Sequence, residues 1–318
     1  MTLPGSPRLP YDQLPAGLRT AIDEALGSPV VQVTPRVGGF SPGPAAVVTC
    51  ADGARAFVKA VGTPLDPETP QLLRREAEVS AQLPADLPVP RLRSRVDWAD
   101  ADGEWVAVLL DVVDGAPPRL PWSAADAARV VSAVDRFSVR ATPCPVPGLP
   151  PLAERLAPDL GAWPALAGDP PADLHPWEAT HLDWLADAPG RLDRRGGLTG
   201  DTLVHLDLRA DNLLVTPAGE VVLVDWPWAC RGPAWVDVVL LALDPAVHGG
   251  LDPESLVAGA PVVAGADPRD VTDLLAGLTG VWADLMRRPP PPGLPTLRAF
   301  QRRFHDAALQ WVVRRTGR

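Results

Sequence analysis

Lysine and asparagine are almost missing from this sequence. All but one of its 29 basic residues are arginine, the exception being Lys59, and its single asparagine is Asn212. Isoleucine and tyrosine also occur once each, as Ile22 and Tyr11, while Ala, Gly, Pro, Arg and Asp abound, as coding pressure from a GC-rich genome would produce. Under such pressure Lys drifts to Arg wherever Arg serves. A Lys or Asn that persists is therefore a candidate for a role that Arg or Asp cannot fill.

Other absences exclude whole classes of function. The three cysteines, Cys50, Cys144 and Cys230, are far apart and show no CxxC spacing, which argues against a zinc site or a disulfide framework. The net charge is −10 and no basic stripe is present, so nucleic acid is not an expected partner. No uncharged apolar run approaches the roughly 18 residues that span a bilayer, and no membrane is expected. The leading MTLPGSPRLPYDQLP lacks a basic stretch followed by an apolar one, so it does not read as a signal peptide and the expected address is cytoplasmic. No GK[ST] occurs, which excludes a Walker A loop, and HRD, DFG and APE are also absent.

The chain has 318 residues, 46% apolar and 21% charged, the balance of a globular protein of two domains or two lobes. A helix is predicted over about 14–26. Alternating, β-branched segments at about 31–37, 44–50 and 54–61, separated by glycine-containing turns, predict a three-stranded meander. Leu72, Leu73, Ala77, Val79 and Leu83 recur at helical spacing and end at prolines. Two more strands follow around Ala101-Asp102-Gly103, and 112–118 breaks the pattern like a hinge. Beyond Pro121 the chain reads as mainly helical. Ser123 is a candidate N-cap for a helix over 124–140, and later helices are expected near 233–246, 267–287 and 294–315. Two short strands, LLVTP and EVVLVDW, interrupt them.

The chemistry concentrates in TLVHLDLRADNLLVTPAGEVVLVDWPWA, where His205, Asp207 and Asn212 have the spacing HxDxxxxN and Asp225 follows thirteen residues later. Phosphoryl transfer needs a carboxylate near the attacking hydroxyl and hard oxygen ligands for Mg²⁺. Asp207 fits the first role, Asn212 and Asp225 the second, and His205 a bracing one. Upstream, Lys59 lies inside the apolar strand FVKAV, a costly place unless its charge is used. Glu76, on the next predicted helix, is its candidate partner, with Glu78 the competitor two residues on. Such a Lys–Glu pair grips nucleotide phosphates. The only Lys and the only Asn thus fall where this chemistry calls for them. Gly38, Gly39, Ser41 and Gly43, between the first two strands, could bring backbone N–H groups to phosphates.

These motifs, FVKAV, RREAEVSAQL, HLDLRADN and VLVDWPWA, resemble the aminoglycoside-phosphotransferase family, related to choline kinases and more distantly to protein kinases. The resemblance runs from about residue 30 to 246. It implies an α+β, protein-kinase-like bilobal fold, with a small antiparallel sheet lobe carrying one helix (1–113) and a larger helical catalytic lobe (114–318). It implies ATP or GTP as phosphate donor with Mg²⁺, a nucleotide contact at a hinge that includes Leu110 and Val112, Asp207 as catalytic residue, and Asp237 as a buttress of the catalytic loop. The expected partners are a nucleotide triphosphate and a small-molecule hydroxyl acceptor. An aminoglycoside or related amino sugar or metabolite leads; an amino alcohol such as choline or another metabolite, and a catalytically silent nucleotide-binding protein, are the alternatives. The acids Asp159, Asp169, Asp173, Glu178, Asp183 and Asp187 are candidates for the acceptor wall, and Asp270, Asp273, Asp284 and Asp306 are equal contenders.

Overall fold

The computed structural model describes residues 8–36, 38–39, 41–291 and 294–317; Val37 and Phe40 of the glycine-rich segment, and Pro292 of the four-proline run 289–292 that the sequence offers as a linker between the last two helices, lie outside them. The elements run α1 (Ala16–Leu26), β1 (Val30–Pro35), β2 (Ala45–Cys50), β3 (Arg55–Gly62), α2 (Thr69–Ser80), β4 (Leu92–Ala99), β5 (Glu104–Leu110) and α3 (Ala124–Arg140). Five short helices follow: α4 (Leu152–Leu160), α5 (Ala162–Gly168), α6 (Pro176–Thr180), α7 (Leu182–Ala186) and α8 (Ala188–Arg195). Then come β6 (Thr202–Val204), β7 (Leu213–Val215), β8 (Val221–Leu223) and β9 (Cys230–Gly232). The chain ends in α9 (Val236–Gly249), α10 (Pro253–Val257), α11 (Pro261–Ala264), α12 (Pro268–Leu285) and α13 (Leu297–Thr316).

Contacts divide the chain into two compact units, Met1–Pro118 with Ala210–Trp228, and Arg119–Arg209 with Ala229–Arg318. The first holds an antiparallel sheet in the order β1-β2-β3-β5-β4 and the separate β7–β8 hairpin. Successive residues of a strand face opposite sides, and both sides of the central strands are apolar. From β3 and β5, Ala56, Val58, Ala60, Trp105, Ala107 and Leu109 join Ile22 and Leu18 of α1 in one core. The intervening Val61, Val106, Val108 and Leu110 join Leu73 and Ala77 of α2 in the other. Two of the rare residues, Ile22 and Tyr11, are thus core residues of the first kind.

The second unit is helical apart from the β6–β9 pair. Ser123 caps α3, its side chain accepting from Asp126 N. Trp163 is fully buried and donates to Ala276 O at 2.8 Å and Thr279 Oγ1 at 3.0 Å, anchoring α5 to α12. The proline-rich stretch before β6 is more helical than its composition suggests. Prolines occupy the first turns of α6 and α8, where a missing N–H costs nothing, although Pro158 lies inside α4. The strands β6 and β9, three residues each, are too short to show a period and were not expected.

Candidate functional site

Strand alternation decides where the single lysine points. Lys59 lies between Phe57 and Val61, which pack with the α2 core, so its side chain faces α2. There Nζ donates to Glu76 Oε1 at 2.8 Å and Oε2 at 3.0 Å, and also to Asp225 Oδ1 at 2.9 Å. Glu76 is buried. Glu78 turns outward to Arg95, at 3.5 Å. Burial by itself would lower the pKa of Lys59, but the Asp225 and Glu76 carboxylates outweigh it and the ammonium is held above its ordinary value. Burial raises Glu76, and Lys59 opposes that rise only in part.

Asp225 reaches Lys59 from the end of the β7–β8 hairpin. Leu213 pairs with Leu223, and Val224 N donates to Asn212 O at 3.0 Å, so Asn212 and Asp225 flank one open end of that hairpin. Asn212 is buried. Asp225 has φ 73°, and Leu206 has φ 68°; among the described residues these are the non-glycine residues with positive φ. Backbone strain of this kind costs about 1–3 kcal/mol and persists where surrounding structure enforces it, which is common at functional sites. Asn212 and Asp225 offer hard oxygens, the donor type that suits Mg²⁺. Among the described residues no group of three or more His, Cys, Asp or Glu could hold a metal alone. An ion here would share these two side chains with substrate phosphates, as Mg²⁺ commonly does.

The remaining nucleotide candidates of this unit lie along the sheet. Gly38 and Gly39 both have positive φ, 101° and 76°, which favours glycine. Gly43 runs against β3, where a Cβ would lie 1.8 Å from Ala60 O. Ser41 is half-buried in the same loop. Leu110 ends β5 in the α2 core, and Val112 lies two residues beyond, partly buried. The chain leaves β5 with Asp111 N bonded to Arg91 O and then pairs Ala116 with Val215 of the hairpin.

The second unit holds Asp207. Its loop is fixed from below by the buried carboxylate of Asp237, which accepts from His205 N at 2.7 Å and Leu206 N at 2.9 Å. Burial pushes the Asp237 pKa up to about 6, against the lowering effect of those two N–H groups. His205 is fully buried, and its Nδ1 accepts from Asp207 N. Asp207 forms an ion pair with Arg209, whose guanidinium lies 5.5 Å over the ring of Phe300 on α13. Sequence reasoning passed over Arg209, although it sits inside HLDLRADN, and Phe300, which carries no motif.

Most of the acids proposed for an acceptor wall already have partners. Asp173 pairs with Arg287, Asp187 with Arg194, Asp284 with Arg288, and Asp270 and Asp273 with Arg195. Glu178 is fully buried and accepts from His305 Nε2 at 2.7 Å.

A model of the phosphotransferase enzyme family matches residues 32–260. The chain belongs to that family. No curated protein sequence matches this phosphotransferase. Among solved structures, a microcompartment-associated aminopropanol kinase matches at 18% identity and TM-score 0.60, over 93% of this chain and 98% of that one. An aminoglycoside phosphotransferase from Streptomyces rimosus, solved with ADP and streptomycin, matches at 21% identity and TM-score 0.54, over 82% and 97%. Another, solved with GDP and kanamycin, matches at 14% identity and TM-score 0.56, over 95% and 99%. These likenesses show the fold of the phosphotransferase, which is α+β and kinase-like.

Proposed function

We propose that the chain moves the γ-phosphoryl group of ATP or GTP to a hydroxyl of an amino-bearing small molecule, with an amino sugar of the aminoglycoside class as the leading acceptor. The observation that carries this reading is the Lys59 ammonium held between Glu76 and Asp225, with Asn212 at the same hairpin end. Lys59 would neutralise nucleotide phosphates, and Glu76 would keep its ammonium in place. Asn212 and Asp225 would hold Mg²⁺, which when bound neutralises charge developing on the phosphates. Asp207 would orient the acceptor hydroxyl and take its proton, with Asp237 fixing the loop that presents it. Gly38, Gly39 and Ser41 would cover the phosphates, and Leu110 and Val112 would meet the base. The nucleotide-bound relatives support a nucleotide donor.

The ion pairing of the acidic residues favours a second acceptor class. A polycation needs several uncompensated carboxylates, and arginine already engages half of the ten candidates. A small amino alcohol needs fewer. Mg²⁺-dependent transfer from ATP and GTP, measured across aminoglycosides, amino sugars and amino alcohols with Asp207→Ala as control, separates the two. Turnover on one class, absent in the control, is expected. Nucleotide binding with no transfer to any acceptor would point to the silent reading, and full activity in Asp207→Ala would reject its assigned role.

A further inference from the structure

The N-terminal segment, upstream of every motif, reaches into the first unit's glycine-rich loop. Arg8 Nε and Nη2 donate to Gly38 O at 3.2 and 2.6 Å, and Nη1 donates to Gly43 O at 2.9 Å. Leu9 N also donates to Pro42 O at 2.8 Å. One side chain therefore spans the loop from its first glycine to its last. The consecutive positive φ values at Gly38 and Gly39 orient the local backbone for this contact.

A cation is more than such a clip requires. Two loop carbonyls at a partly exposed position can be satisfied by water or by a neutral amide. A half-buried guanidinium carries a desolvation cost, and burial is the largest influence on Arg8, lowering its pKa. Opposing it are the carboxylates of Asp225 and Asp211, on the same hairpin segment that reaches Lys59. The guanidinium has five N–H donors in a planar fork, and the carbonyls take three of them. Two donors and the full charge remain, within electrostatic range of Asp225 and pinned to the loop proposed to cover phosphates. Planar bidentate recognition of a phosphate is what such a fork does best.

We infer that Arg8 is a second phosphate-binding cation of the nucleotide-donor site, carried in by the N-terminal segment and aimed by the carbonyls of Gly38 and Gly43. The inference rests on the donor-site reading above. Lys59 approaches from strand β3 and Arg8 from the glycine-rich loop, so a triphosphate meets one cation from each. Lys59 is braced by Glu76, Arg8 by backbone. Arg8 contributes to the affinity for phosphate groups and nothing to the affinity for the nucleoside.

The test is equilibrium binding of Mg·ATP, ADP and adenosine to the full chain and to Arg8→Gln, Arg8→Ala and Arg8→Lys, with the melting temperature of each ligand-free protein recorded alongside. Arg8→Gln keeps donors for the carbonyls and loses the charge. Loss of one charged hydrogen-bonding group predicts ATP binding weakened about ten- to a hundredfold, with adenosine unchanged and Arg8→Lys intermediate. If the native chain binds no nucleotide, the donor-site reading and this inference both fall. If it binds ATP and Arg8→Gln matches it, this inference alone falls. Equal weakening of ATP and adenosine would make Arg8 a loop brace only, and tighter ATP binding in Arg8→Ala would make it a plug; either result overturns the proposal. Should the Ala and Gln variants fail to fold, Arg8→Lys against the native chain carries the same comparison.

Discussion

At the scale of single residues, Lys59 tests why composition can point to chemistry. Elsewhere in this chain every basic residue is arginine, which makes the exception a candidate for a role that arginine cannot fill. The geometry supplies one: a single Nζ atom lies within 3.0 Å of both Glu76 oxygens and of Asp225 Oδ1. A guanidinium spreads its charge over three nitrogens and needs a wider slot between β3 and α2. Lys59→Arg should lower kcat/KM for the nucleotide by about ten- to a hundredfold, although charge is conserved. Steady-state rates against nucleotide concentration check this, and an unchanged value would remove the compositional argument. Asp237 acts differently, through the backbone. Its two oxygens satisfy the N–H groups of His205 and Leu206, and truncation leaves one buried and one half-buried donor without acceptors. At about 1–3 kcal/mol for each, Asp237→Ala should destabilise the protein by roughly 2–6 kcal/mol, readable as a shift of the urea midpoint.

At the scale of elements, α13 is tied to α6 by a buried polar contact that titrates. His305 Nε2 meets Glu178 and Nδ1 meets Asp306, and Glu178 also accepts from His175 N. Burial would lower the His305 pKa, but Glu178 and Asp306 prevail and hold it above 6.5. The folded state therefore keeps a proton that the unfolded chain releases. The stability this contact adds is fully present below pH 6.5 and is lost as pH rises through the folded value. The melting temperature should fall on that rise relative to His305→Gln, in which the dependence disappears; parallel curves for the two proteins would contradict it. None of this was legible in the sequence, because Glu178 and His305 are 127 residues apart and carry no motif. The sheet was legible for the opposite reason. Strands of six to eight residues, rich in β-branched residues and bounded by turns, stand out as apolar runs, whereas β6 and β9, with three residues each, cannot. The partners of Lys59 were half legible: helical position separated Glu76 from Glu78, but the Asp225 contact spans 166 residues.

At the scale of the whole molecule, the two units interleave along the chain. Each is built from two stretches, and the chain passes between units after Pro118, Arg209 and Trp228. Residues 1–118 alone would hold Lys59 and Glu76 but lack Asn212, Asp225 and the β7–β8 hairpin that pairs with Ala116. Neither unit is a contiguous piece of chain, so unfolding one frees the chain ends that enter and leave the other, and the two should unfold together. The composition offers a probe. Besides the α-amine, Lys59 is the one amine in the chain, and it lies in the first unit, half-buried and held as an ammonium between two carboxylates. An amine-reactive ester should leave it untouched in the native protein and label it as urea opens the site. Of the 11 tryptophans, seven lie in the second unit, so intrinsic fluorescence reports mainly on that unit. The labelling midpoint at Lys59, read by peptide mass, should coincide with the fluorescence midpoint. A labelling curve that leads the fluorescence curve would instead mean that the Lys59–Glu76–Asp225 contact opens while the helices stay folded, making the nucleotide-side machinery the less stable part of the molecule.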